Sequence, residues 1–263
     1  MNAMRLLDIV RKLQGMPRED ARAFCMKLFK PFGIVEEHYA TGVNLVMRKK
    51  GTSDKQVIIA SHYDAFPGCR GANDDFSAVA VLYGIAQSLW KKKPKHNLTL
   101  CIFDEEEQHC IGSRAFVAQH GVQDIKAVID LELVGMGDVF GLWPVTKETA
   151  LTRTLTSLLK KKKNSFETIG EIPWFWADYL PFKEAGVDSV CITLVPKEDI
   201  KDMRKFLSQR KYLLPIKIAL GLVKVPKFFE NYHTKRDTAD KLSENSLQLA
   251  KDIVIDAINA LQK

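Results

Sequence analysis

Four short segments concentrate side chains able to bind a divalent cation or move a proton. His62-Tyr63-Asp64 sets an imidazole two residues from a carboxylate. In an extended chain these two face the same way, so His62 can offer a ring nitrogen to a metal while Asp64 supports it from behind. Alone the pattern is weak, because turn-forming aspartates often produce it by chance. Gly71-Ala72-Asn73-Asp74-Asp75 puts two adjacent acids after a Gly-rich loop, where a helical pattern opens. Such acids cap helices, but twelve residues beyond His62 one of them also suits a carboxylate shared by two metals. Asp104-Glu105-Glu106-Glu107 is the strongest local signal. Like charges at the end of an apolar run repel unless a cation or hydrogen-bond donors offset them. Metal-assisted hydrolysis needs a ligand and a general base side by side, which consecutive carboxylates supply. Asn231-Tyr232-His233-Thr234 then offers the second histidine that a two-metal site requires.

These groups must be brought together by the elements that precede them. Apolar, β-branched runs predict strands over 43–47, 56–61, 98–103, 127–134 and 189–194. Helical spacing predicts helices over 3–14, 17–29, 77–90, 112–119, 151–159, 217–223 and 247–261, the last capped by Ser243 or Asn245. Strand and helix alternate from 56 to 134, which predicts an α/β fold of three layers: a mixed, mostly parallel central sheet with helices on both faces. Ligands of such sheets bind beyond the carboxyl ends of the strands. His62 and Asp64, then Glu105 to Glu107, lie past strand ends, and Asp130 and Glu132 fall late in another strand.

The 263 residues, 46% hydrophobic and 27% charged, fit a soluble globular chain with its own core. The net charge of +7 includes the lysine runs 91–93 and 160–163, which lack the interleaved aromatics of a nucleic-acid face. No nucleic acid is expected as a partner. The five cysteines lack zinc-finger or redox spacing, and buried thiols fit a reducing compartment. No stretch approaches a membrane span and the first residues lack a signal-peptide core. A cytoplasmic protein with no membrane partner is expected.

Together the chain resembles the co-catalytic zinc aminopeptidases, peptidase family M28, which includes bacterial aminopeptidases, glutamate carboxypeptidase and glutaminyl cyclase. The matching pieces run in the family's order: His62-Tyr63-Asp64, Gly71 to Asp75, Glu106-Glu107 with Gly112-Ser113, Glu132 to Gly135, Asp178 with Pro181-Phe182, and Tyr232-His233-Thr234. The resemblance implies a single zinc-exopeptidase catalytic domain over 1–263. A helical segment over 1–30 and an insertion near the site over 196–230 are expected within it. It implies two zinc ions, with cobalt or manganese as substitutes. One is paired with Glu107 and His233, the other with His62 and Glu132, and Asp74 lies between them. Glu106 matches the general base, and Asp64, as the partner that supports His62, is counted with it as catalytic. The chain departs from the family at Glu132, where Asp is usual, with Asp130 as the second choice of ligand. It departs again at Asp130 (usually Asn), Ala78 (usually Gly) and Tyr179 (usually His). The implied activity is removal of N-terminal residues from peptides. A carboxypeptidase or dipeptidase on the same scaffold, or a silent metal- or peptide-binding relative, are the alternatives.

Overall fold

The computed structural model describes residues 4–172, 175–209 and 213–262. Helix α1 (Leu6–Leu13) buries Leu6, Leu7, Ile9, Val10 and Leu13, and α2 (Arg18–Phe29) buries Ala21, Cys25 and Phe29. Met4, expected on the apolar side of the first helix, lies before it and is exposed. Gly33, at φ 73°, closes the turn after α2 in the left-handed conformation that glycine tolerates. There follow β1 (Val35–His38), β2 (Val43–Lys49), β3 (Ser53–His62), α3 (Phe76–Leu89), β4 (His96–Phe103), α4 (Ile111–His120) and β5 (Ile125–Leu131). The second half runs β6 (Val139–Trp143), α5 (Ala150–Lys162), β7 (Phe166–Thr168), α6 (Tyr179–Glu184) and β8 (Ser189–Val195). It ends with α7 (Ile200–Leu207), α8 (Leu214–Ala219), α9 (Lys227–Glu230) and α10 (Glu244–Leu261).

The strands form one sheet in the order β1-β2-β4-β3-β5-β8-β6-β7. Its centre, β4-β3-β5-β8, is parallel, while β1, β2 and β6 run antiparallel to their neighbours toward it. Side chains of β3 alternate between two cores. Val57 and Ile59 pack with residues of α1, α3, α5 and α10, whereas Ile58 and Ala60 pack with Phe116 of α4 and Phe182 of α6. Helices therefore cover both faces, as the alternating pattern predicts. Burial on both faces explains why the central strands are near-continuous apolar runs.

The fifth strand stops at Leu131, three residues before its expected end, so Glu132 lies just past it. Beyond that point side chains of the 73–77 turn take the backbone donors. Asp75 accepts from Leu133 at 3.4 Å, Ser77 from Val134 at 3.1 Å and Asn73 from Gly135 at 2.8 Å. Leu133, at φ 57°, turns the chain out of the sheet. The helix expected over 217–223 is placed at Leu214–Ala219, with Gly221 (φ 67°) in the turn that follows. Ser243 rather than Asn245 caps α10, its hydroxyl accepting the Asn245 N–H.

Candidate metal centre

His62 is the last residue of β3 and is fully buried. Its Nδ1 lies 2.9 Å from the Asp64 carbonyl oxygen, so Nδ1 carries the proton and Nε2 presents a lone pair. That Nε2 sits 3.2 Å from Asp74 Oδ1, 3.6 Å from Glu132 Oε1 and 3.9 Å from Glu106 Oε2. On the other side His233 Nε2 lies 3.2 Å from Asp74 Oδ2 and 3.0 Å from Glu107 Oε2. Asp74 thus turns one oxygen to each histidine. All seven residues singled out from the sequence, including Asp64, meet at the carboxyl ends of β3, β4 and β5. Asp130 does not join them: its Oδ2 accepts the Tyr179 N–H at 2.8 Å.

Each segment is held by side chain to backbone bonds. Asp64 accepts the N–H groups of Glu106 and Glu107, the exposed donors of a short 3-10 turn over Glu106–Gln108. Behind that turn Asp104 accepts from Val43 N at 3.0 Å and from Arg18 Nη2 at 2.5 Å, while Glu105 accepts from Thr41 Oγ1 at 2.6 Å. Gly112 lies so close beneath that a Cβ there would stand 2.2 Å from the Asp104 carbonyl oxygen, which accounts for glycine at this point of the motif. Asp237 accepts the N–H groups of Asn73 at 2.8 Å and Asp74 at 3.1 Å. The Asp74–Asp75 peptide is cis, and Asp75 accepts the His62 N–H at 3.4 Å. The His233 ring is stacked between Phe66 and Tyr232, with centroids 4.1 and 3.8 Å away.

The electrostatics fit a cation. Burial raises Glu106 well above the carboxylate range, and Glu132, Asp178 and Glu107 add to this against the opposing pull of His62. Burial likewise lifts Glu132 to about 7 and raises Asp75 and Glu107. Asp74 moves the other way: burial would raise it, but the close imidazoles of His233 and His62 hold it near 2. Burial would lower His233, yet Asp74 and Glu107 bring it to about 9. Five carboxylates, Asp74, Asp75, Glu106, Glu107 and Glu132, thus surround two imidazoles. Buried His62 Nε2, Glu107 Oε1 and Glu132 Oε1 make no hydrogen bond of good geometry, which is how coordinating atoms look without their ion. Two groups of donor atoms lie within 4.8 Å of one another: His62, Asp75 and Glu132, and Asp74, Glu107 and His233. Mixed imidazole and carboxylate donors suit zinc.

Sequence reading missed the parts of Asp75 and Asp237. Asp75 was visible only as the neighbour of Asp74, and a carboxylate that receives distant backbone donors leaves no spacing signal. Asp178, noted only as a motif residue, is buried beside Asp130. Burial, and for Asp130 the charge of Asp178, raises both well above the usual range.

The fold and this cluster of acids and histidines define an α/β protein with a candidate metal centre at the carboxyl ends of its central strands. The chain matches the model of peptidase family M28 over residues 44–258 and belongs to that family. It is 23% identical to aminopeptidase YwaD of Bacillus subtilis over 259 residues, 93% of this chain and 50% of that protein. It is 27% identical to a vacuolar membrane protease of Candida tropicalis over 172 residues, 62% of this chain and 18% of that one. The chain spans half the length or less of these curated relatives. Among solved structures it is similar to BSAP, a zinc aminopeptidase from Bacillus subtilis (TM-score 0.66, 20% identity, 83% of this chain and 50% of that one). It is also similar to the Porphyromonas gingivalis glutaminyl cyclase (TM-score 0.72, 16% identity, 97% of both chains). At these identities the structural likeness establishes the shared fold.

Proposed function

We propose that the chain is a metal-dependent exopeptidase, an aminopeptidase that hydrolyses N-terminal residues from peptides. The observation that carries this reading is Asp74, with one oxygen 3.2 Å from each of His62 and His233. His62, Glu132 and one oxygen of Asp74 would hold one zinc ion, and the other oxygen, Glu107 and His233 the second. When bound, such a pair supplies a water that ionises near neutral pH and positive charge to oppose a developing oxyanion.

The chain's own residues do the rest. Glu106 takes the proton of the attacking water and returns it to the leaving amine. Asp64 positions Glu106 and Glu107 through their N–H groups, and Asp237 does the same for Asp74. A cavity of about 350 Å³ beside Glu106, Glu107 and His233 is lined by Phe66, Phe175, Trp176 and Tyr232. It suits an apolar first side chain. The acids draw the substrate's free ammonium, and no Lys or Arg is among the described residues lining the cavity. That favours an aminopeptidase over a carboxypeptidase, which must bind a terminal carboxylate. The thiols, four buried and Cys69 half-buried, are all free and accord with a cytoplasmic location.

The test is hydrolysis of aminoacyl-nitroanilides, with and without zinc, beside the same compounds N-acetylated. Zinc-dependent cleavage of the free-amine forms alone is the expected result. No cleavage in a sample holding two metals would move the reading to a carboxypeptidase or dipeptidase. Failure to bind metal would leave a silent relative.

A further inference from the structure

The chain's whole charge excess sits in one stretch. The sequence holds 39 Lys and Arg against 32 Asp and Glu. Residues 203–227 contain seven of those basic residues and no acidic one, which leaves 32 against 32 elsewhere. The same stretch carries apolar side chains that a folded chain ordinarily covers. Leu220 is 66% exposed, Ile216 58%, Leu222 57% and Leu213 36%.

The backbone that presents them is anchored from behind. Val223 and Phe206 are buried together, with Ile218, Val225 and Phe229 packed against them. Helix α8 and the turn after it are therefore seated on the body of the protein with leucines and an isoleucine facing out. Basic side chains flank them, Lys205, Lys224 and Lys227 exposed and Lys217 half-buried, while Arg204 pairs with Glu167. Lys205 and Lys227 have no acidic partner among the described residues, while Lys224 lies 3.8 Å from Asp202 and Lys217 bonds to Gln209.

We propose that this face docks on an anionic lipid surface. The aliphatic side chains enter the boundary between headgroups and acyl chains, and the lysines meet the lipid phosphates. Charge complementarity selects this occupant. Two copies meeting face to face would bring like charges together. Single-stranded nucleic acid would call for exposed aromatic rings to stack on, and among the described residues of this stretch the exposed large hydrophobics are aliphatic. Helix α8 has six residues, and no described helix is long and apolar enough to cross a membrane, so the contact lies on the surface. The proposal revises the expectation that no membrane partner exists, and it stands independently of the peptidase reading. The face is also joined to the site. The Phe229 ring lies 5.1 Å from Phe175 and 6.1 Å from Tyr232, both of which line the cavity beside Glu106.

The experiment is co-sedimentation of the full zinc-loaded chain with vesicles of phosphatidylcholine, alone or mixed with phosphatidylglycerol. The expected result is binding to the mixed vesicles that weakens as salt is raised. Replacing Ile216→Asp and Leu220→Asp together should lower partitioning by about tenfold or more with the thermal midpoint unchanged. Should that pair fail to fold, Lys205→Gln with Lys227→Gln keeps the test open, with weaker binding expected at low salt. Equal binding to both vesicle types, or none to the anionic ones, overturns the proposal. So does undiminished binding by the variants. A concentration-dependent dimer that Leu220→Asp dissolves, seen by sedimentation without lipid, would assign the face to a second copy instead.

Discussion

Asp64 Oδ1 accepts the backbone N–H of Glu106 at 3.1 Å, and its other oxygen takes the next N–H at the same distance. The carbonyl of Asp64 meanwhile receives the His62 Nδ1 proton. One residue thus sets the tautomer of a proposed ligand and the height of the turn bearing the proposed base. Asp64→Ala should lower kcat by about 10- to 100-fold, with a larger effect on kcat than on KM. Asp64→Asn keeps one carbonyl acceptor and should recover part of the loss. Wild-type kcat in the alanine variant would remove the positioning role.

Glu106→Gln preserves shape and hydrogen bonding but cannot shuttle a proton. Metal content should stay at the wild-type value while kcat falls by about 10²- to 10⁴-fold. Elemental analysis and steady-state kinetics on one preparation separate the two effects. Activity close to wild type would assign the base elsewhere.

Stripped of metal, the protein should lose stability as pH rises. Glu132 and Asp237 are lifted by burial from 4.5 and 3.8 to about 7. The folded state keeps their protons where the unfolded chain has released them, so their contribution is lost as pH climbs toward 7. His233, raised from 6.5 to about 9, contributes stability below 6.5 that is lost as pH rises through 9. Asp74, held near 2, contributes above 3.8 and loses it only as pH falls through 2. Chelator-treated protein should therefore unfold more readily with each step between about pH 5 and pH 9, and the zinc-loaded form much less so. Parallel curves for the two forms would contradict the cluster's electrostatics.

Arg18 reaches from α2 to Asp104 at 2.5 Å and Glu105 at 3.2 Å, two carboxylates that are almost fully buried. Arg18→Met would leave them without their cation. The expected loss is about 3 kcal/mol of stability in urea unfolding, together with a fall in kcat because the Glu106 turn begins at Glu105. A change below about 0.5 kcal/mol would show the pair to be solvent-compensated.

The central strands were legible because each carries an apolar run, and β3 and β4 stop at a polar, titratable residue. His62 and Asp104 mark two such stops, and the site grows from them. Strand β1 was not legible: Val35–His38 holds two glutamates and is mostly exposed, and only its pairing with β2 makes it a strand. Strand β6, with Gly141 at its centre, and the three-residue β7 likewise carry too little pattern. The histidines and the acid run announced themselves by residue type. Asp237 did not, because its two bonds are to main-chain donors 164 and 163 residues away.

The site's parts are spread along the chain: 62–64, 74–75, 106–107, 132 and, after a further 101 residues, His233. A ribosome adds about 5–20 residues each second. Several seconds therefore pass between the emergence of Glu132 and that of the second histidine. Through that interval the nascent chain holds the acids that would bind one ion, but not the imidazole that completes the pair. Asp237, which fixes the shared Asp74, comes later still. The proposed metal pair therefore cannot be completed until the segment that carries His233 and Asp237 has been made.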